Sequence, residues 1–104
     1  MTNIRLKSWN EIEALSQQLY ELAHEEQWEE LPKLESIRRQ KLEIFFSEPV
    51  PVEMASEIAE GIRNIQKLDA EVILLAQQSQ LRISAHLNEI TKGKQVIEAY
   101  SNNS

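Results

Sequence analysis

Apolar residues recur at steps of three and four near the start of the chain, which places them on one face of an α-helix. They are Trp9, Ile12, Leu15, Leu19, Leu22 and Ala23. Just before them, residues 8–11 read SWNE, the S-x-x-E spacing of a capping box that closes a helix N-terminus. The pattern therefore predicts a first helix over about residues 9–26.

A second apolar stripe predicts a second helix, over about residues 28–46. Its members are Trp28, Leu31, Leu34, Leu42 and Phe45. At about 100° per residue the two stripes are centred near 240° and 350°, whereas a continuous helix drifts by only about 20° per heptad. This shift predicts a break between residues 25 and 31. Pro32 agrees, because proline is tolerated in the first turn of a helix and is costly deeper inside.

The sequence SEPVPVE, residues 47–53, predicts a linker, and a long third helix follows over about residues 53–92. Gly61 interrupts it and predicts a close approach of another helix. The stop signal is Lys92-Gly93, so that the tail 93–104 forms a last turn or a short fourth helix. We therefore predict a single all-α domain, residues 1–104, built as an antiparallel up-down bundle of three helices.

The lengths of the predicted helices leave part of the third helix uncovered. If Phe46 faces Glu53, Trp28 lies level with Glu71, and about 20 residues, or roughly 30 Å, remain beyond. An uncovered apolar stripe of this length marks a contact surface for another copy, a client or the folded-back tail. The stripe consists of Val72, Ala76, Ile83, Leu87 and Ile90, and the tail would contribute Val96, Ile97 and Tyr100 as a movable cover.

Three further residues have predicted structural roles. Trp28 either plugs the end of the bundle or borders the exposed half of the third helix. Asp69, inside an apolar stripe, is expected to accept hydrogen bonds from N–H groups of residues 27–32 or from the Trp28 indole, or to face solvent. Arg38 is expected to meet Glu13 or Glu57 with its stem beside Gly61, because a bridge to Asp69 would need about 12 Å of axial reach.

Composition and charge narrow the classes of function. The net charge is −6 and no Lys/Arg stripe offsets it, so nucleic-acid binding is not expected. There is no cysteine, no signal-peptide pattern and no apolar run of membrane-spanning length, which fits a cytoplasmic protein. The four glutamates at 25–30 form a solvated turn or a recognition patch for a basic partner.

The sequence contains only weak motifs for metal binding or catalysis. Glu21-Leu-Ala-His24 has the E-x-x-H spacing of di-iron bundles, but His86 lacks the matching glutamate at position 83, so no metal or other cofactor is expected. No G-x-S-x-G or phosphate-binding loop occurs, and the chain is not expected to be an enzyme.

Three segments together resemble the FliT-type flagellar export chaperones. Residues 19–46 read LYELAHEEQWEELPKLESIRRQKLEIFF, residues 65–72 read IQKLDAEV, and residues 93–100 read GKQVIEAY. The resemblance implies a small cytosolic helical bundle that binds a flagellar substrate before type III export. In this family the usual client is the filament-cap protein, held by its C-terminal segment, and some members bind the export ATPase apparatus or the flagellar master regulator.

Two departures from the family qualify this expectation. Glu26-Gln27 stands where relatives have a glycine-containing turn, and the chain ends soon after Tyr100, where some relatives carry a longer C-terminal helix linked to autoinhibition. Regulation through such a segment and binding of the regulator are therefore not expected here. The alternatives are a homo-oligomeric helical interaction protein, including a homodimer, and a sibling chaperone of hook–filament junction proteins.

Overall fold

Helices make up most of the part of the chain that the structure describes. A computed structural model describes the backbone of residues 2–103 and the side chains of residues 4–92. The helices are α1 (Thr2–His24), α2 (Leu31–Phe45) and α3 (Ala55–Asn103), and short 3-10 turns occur at Trp28–Glu30 and Val52–Met54. No strand occurs within residues 2–103. The prediction of an all-α chain is confirmed.

Helix α1 begins earlier than predicted, at Thr2 instead of about residue 9. The predicted capping box is therefore wrong, since residues 8–11 lie inside the helix. The physical reason is that Leu6, three residues before Trp9, also packs against the core and extends the apolar face. Arg5 in the same turn donates a 2.9 Å hydrogen bond to the Phe45 carbonyl at the end of α2.

Helix α3 passes through Gly93 without a break and continues to Asn103. The expected stop at Lys92-Gly93 is wrong, and the backbone described to residue 103 contains no separate fourth helix. A single glycine costs about 1 kcal/mol relative to alanine in a helix interior, and no proline stands nearby to end the helix. Side chains beyond residue 92, including those of Val96, Ile97 and Tyr100, lie outside the described part.

Contacts between α1 and α2 pair the beginning of one helix with the end of the other. Arg5 reaches the Phe45 carbonyl, and Lys41 forms a 3.1 Å ion pair with Glu11. Residue numbers therefore fall along α2 as they rise along α1. We refer to α1, α2 and the turn between them as the hairpin.

Contacts between α1 and α3 follow the same order along both helices. Trp9 lies against Gly61, and Tyr20 lies beside Glu71. A Cβ added at Gly61 would lie 2.6 Å from Cζ2 of Trp9, which is too close for any real contact. The predicted close approach at Gly61 is thus confirmed, with Trp9 as the neighbour. The expectation that the Arg38 stem packs there is wrong.

The hydrophobic core lies near the α2–α3 linker. Its buried members are Trp9, Ile12, Phe45, Met54, Ile58 and Ile65. Trp9 is fully buried, and its ring lies 5.3 Å from that of Phe45. Burying residues of this size contributes on the order of 1.5–3 kcal/mol each. The core therefore fixes the hairpin to the first half of α3.

Candidate protein-binding site

The hairpin turns through a backbone conformation that side chains rarely adopt. Glu26 has a φ of 61°, in the left-handed region that normally favours glycine. The Glu26 N–H donates to the Ala23 carbonyl (3.1 Å) and the Gln27 N–H donates to the Leu22 carbonyl (2.8 Å). These two bonds form a Schellman motif that ends α1. The predicted break between residues 25 and 31 is confirmed, and Pro32 lies in the first turn of α2 as expected.

An exposed ion pair connects this turn to α3. The Glu26 carboxylate accepts a hydrogen bond from Arg82. Trp28 is half-buried at the same level and lines a depression together with Ser79 and Ile83. The prediction that Trp28 lies level with Glu71 is therefore wrong by about eight residues, or about 12 Å along α3.

The linker explains this difference in register. The prediction assumed a tight connection in which Phe46 faces Glu53. Instead, the Phe46 ring lies 6.2 Å from Trp9, the same side chain that contacts Gly61. Helix α3 therefore begins about two turns before the level at which α2 ends. The first residues of α1, which also begins earlier than predicted, lie beside this early part of α3.

A polar cluster joins all three helices near the middle of the hairpin. Arg38 Nη1 donates to Asp69 Oδ1 at 2.8 Å and to Ser16 Oγ at 3.1 Å. The buried Ser16 hydroxyl in turn donates to the Ile12 carbonyl at 3.0 Å. The expectations that Arg38 meets Glu13 or Glu57 and that Asp69 meets residues 27–32 are both wrong. The direct bridge becomes accessible because the shifted register brings the two residues level.

Beyond the hairpin, α3 carries an apolar face that no helix within the described residues 2–103 covers. A depression of about 460 Å³ begins at the turn and follows α3. We call it the tip groove; its lining residues are Glu26, Trp28, Ser79, Arg82, Ile83, His86 and Leu87. Ile83, Leu87 and Ile90 are spaced for one helix face and are 57%, 56% and 53% exposed. These side chains form an elongated apolar surface beside Trp28.

The predicted contact residues separate into two groups. Val72 and Ala76 are half-buried beneath the hairpin, so the expectation that they are uncovered is wrong. Ile83, Leu87 and Ile90 are exposed, as expected from their position beyond it.

Sequence reasoning did not include Ser79, Arg82 or His86 in the site. Ser79 occupies the same helical line as Ile83 and Leu87, so that extending the apolar stripe through a small polar residue would have found it. Arg82 pairs with a glutamate 56 positions away, and no local pattern indicates that contact.

The turn that carries Glu26 and Trp28 of the tip groove is rich in carboxylates. Glu25, Glu29 and Glu30 in this turn are exposed, and none of them forms an ion pair among the side chains described for residues 4–92. On the other side of the hairpin, partial burial and the Glu71 carboxylate raise the pKa of Tyr20 above its usual value of 10.0. Within the described residues, no three His, Cys, Asp or Glu side chains cluster as metal ligands.

The fold and the site define a class of protein: a helical hairpin packed on one long helix whose second half exposes an apolar face. The model of the family described as flagellar protein FliT matches residues 6–102. The chain belongs to the FliT family, which implies a flagellar export chaperone. Comparison with curated proteins and with solved structures gives no match. None of the helices described is long and apolar enough to cross a membrane.

Proposed function

We propose that this chain is a cytoplasmic export chaperone that binds the C-terminal segment of the flagellar filament-cap protein in the tip groove. The observation that supports this is the uncovered line of Ile83, Leu87 and Ile90 beside the half-buried Trp28. A client's amphipathic helix would lay its apolar face along this line. The client is thereby kept soluble and unassembled until export.

The geometry suits a single helix as the bound segment. From Ile83 to Asn103 the helix α3 continues for about 30 Å, which matches a client helix of about 20 residues. The side chains of Val96, Ile97 and Tyr100 would extend the surface along this length, whereas Val72 and Ala76, which lie beneath the hairpin, would not contact the client. Trp28 would supply an aromatic side at the end near the turn, where such residues often dominate binding energy.

Titration calorimetry with the filament-cap C-terminal peptide tests this assignment. Ile83→Asp/Leu87→Asp is expected to weaken binding by at least a hundredfold, because each change places a charge in the apolar contact. The matched control is Leu74→Asp/Leu81→Asp, since both leucines are exposed but lie on the opposite side of α3. The control is expected to bind within about threefold of the wild type.

Equal affinity of the wild type and the Ile83/Leu87 variant for the peptide would show that the client does not bind in the tip groove. The alternative is that a second copy of the chain covers this face. Sedimentation equilibrium would favour this homo-oligomeric interaction protein if the wild type is a dimer that does not bind the peptide and the Ile83/Leu87 variant is a monomer.

A further inference from the structure

The tip groove is electrostatically asymmetric along its length. At the turn, residues 25–30 contain four glutamates and no basic residue. From residue 83 onward, two glutamates balance two lysines. The net negative charge of the chain therefore lies on the hairpin and the part of α3 beneath it, and its most concentrated stretch adjoins the beginning of the groove.

The only arginine among the lining residues of the groove is already paired. Arg82 lies at the rim and donates to Glu26, which holds its charge against the turn. Glu25 and Glu29 remain as exposed carboxylates, and neither has an ion-pair partner among the described side chains. A polypeptide entering the groove at this end would therefore meet Trp28 flanked by uncompensated negative charge.

We propose that the segment bound in the tip groove carries basic side chains at the end that lies beside the hairpin turn. This inference rests on the proposed function and adds the chemistry of the client to it. The apolar line holds the middle of the segment, and lysines or arginines at its end lie against Glu25 and Glu29. Acidic residues at the same position are repelled, so the turn selects among amphipathic helices and fixes their direction.

Three synthetic peptides of about 18 residues separate the contribution of charge to affinity from that of apolar contact. They share one leucine face and differ only in the residues at one end, which are lysines, glutamines or glutamates. At about 50 mM salt the lysine peptide is expected to bind the wild type roughly three- to tenfold more tightly than the glutamine peptide, and the glutamate peptide more weakly still. The differences should shrink at about 500 mM salt, where exposed charges are screened.

The variant Glu25→Gln/Glu29→Gln is expected to reduce the lysine-to-glutamine affinity ratio to below about twofold. Its control is Glu43→Gln/Glu60→Gln, which changes the net charge equally at two exposed positions away from the groove. The control is expected to keep the full ratio. Far-UV circular dichroism and the melting temperature verify that both variants remain folded.

The outcomes distinguish the charge inference from the groove itself. If all three peptides bind the wild type equally, or if both glutamine variants reduce the ratio alike, the charge inference is overturned. Loss of binding in Ile83→Asp/Leu87→Asp would then still support the groove. Binding that survives the Ile83/Leu87 change overturns both proposals. If no synthetic peptide binds the wild type, the charge inference is overturned, and the titration with the filament-cap peptide tests the groove separately.

Discussion

At the residue scale, two polar groups set the geometry of the hairpin. Arg38 lies between Ser16 on α1 and Asp69 on α3, so that one side chain ties three helices together at a fixed level. Its side chain is only 12% exposed, and a charge so placed is costly unless paired. Glu26 holds the turn in a left-handed conformation while its carboxylate pairs with Arg82. The Arg38 cluster specifies the register between the hairpin and α3, whereas the Glu26–Arg82 pair is exposed and contributes little on its own.

Loss of the Asp69 charge should destabilise the chain measurably. Asp69→Asn leaves Arg38 without its anion in a partly buried site, and we expect the free energy of unfolding to fall by roughly 1–2 kcal/mol. The control is Glu35→Gln, whose ion pair with Arg39 is exposed on both sides and should contribute less than about 0.5 kcal/mol. Urea unfolding measures both changes, and equal small effects would contradict the role of the cluster.

The conformation of Glu26 has a separate test. Glu26→Gly and Glu26→Ala both remove the ion pair with Arg82, but only glycine adopts positive φ without steric cost. We expect the glycine variant to be more stable than the alanine variant by about 1 kcal/mol, measured by urea unfolding. Alanine equal to or more stable than glycine would mean that the turn does not use this conformation.

At the scale of elements, the periodicity of apolar residues predicts local features such as where helices run and break. The shift between the stripe that contains Leu19 and the stripe that contains Leu34 predicts the break at the turn, and Pro32 predicts where α2 starts. The path of a linker is not local: nothing in SEPVPVE indicates that α3 begins about two turns before the level of Phe46. The predicted register was therefore wrong, and with it the exposure of Val72 and Ala76. The face that begins at Ile83 did not depend on this error, because it lies beyond the hairpin in either register.

Helix α3 is expected to differ in stability along its length. Residues 58–79 are covered by the hairpin, whereas those from 83 onward depend on their own backbone hydrogen bonds. Amide hydrogen exchange should therefore be slow for the first part and orders of magnitude faster for the second. A client bound in the tip groove should slow exchange in residues 83–90. Uniform protection of α3 in the free chain would show that another copy or segment already covers it.

At the scale of the whole molecule, the chain is an extended rod with its core at one end. Its extents are 79 × 20 × 20 Å, and the 49 residues of α3 account for most of the long axis. The hairpin buries apolar residues near the linker, and its turn, with Glu26 and Trp28, lies near the middle of α3. The opposite half of α3 carries an exposed apolar face. If the proposed function holds, folding and binding use different halves of the same helix.

Nuclear Overhauser effects between methyl groups of chaperone and peptide would locate the client on α3. With labelled chaperone and unlabelled filament-cap C-terminal peptide, we expect intermolecular effects to the methyls of Ile83, Leu87 and Ile90, and a shift of the Trp28 indole N–H signal. Leu74 and Leu81, on the opposite face, serve as internal controls and should show none. Effects confined to Leu74 and Leu81, or saturating binding with no contact to Ile83 and Leu87, would show that the client does not bind in the tip groove.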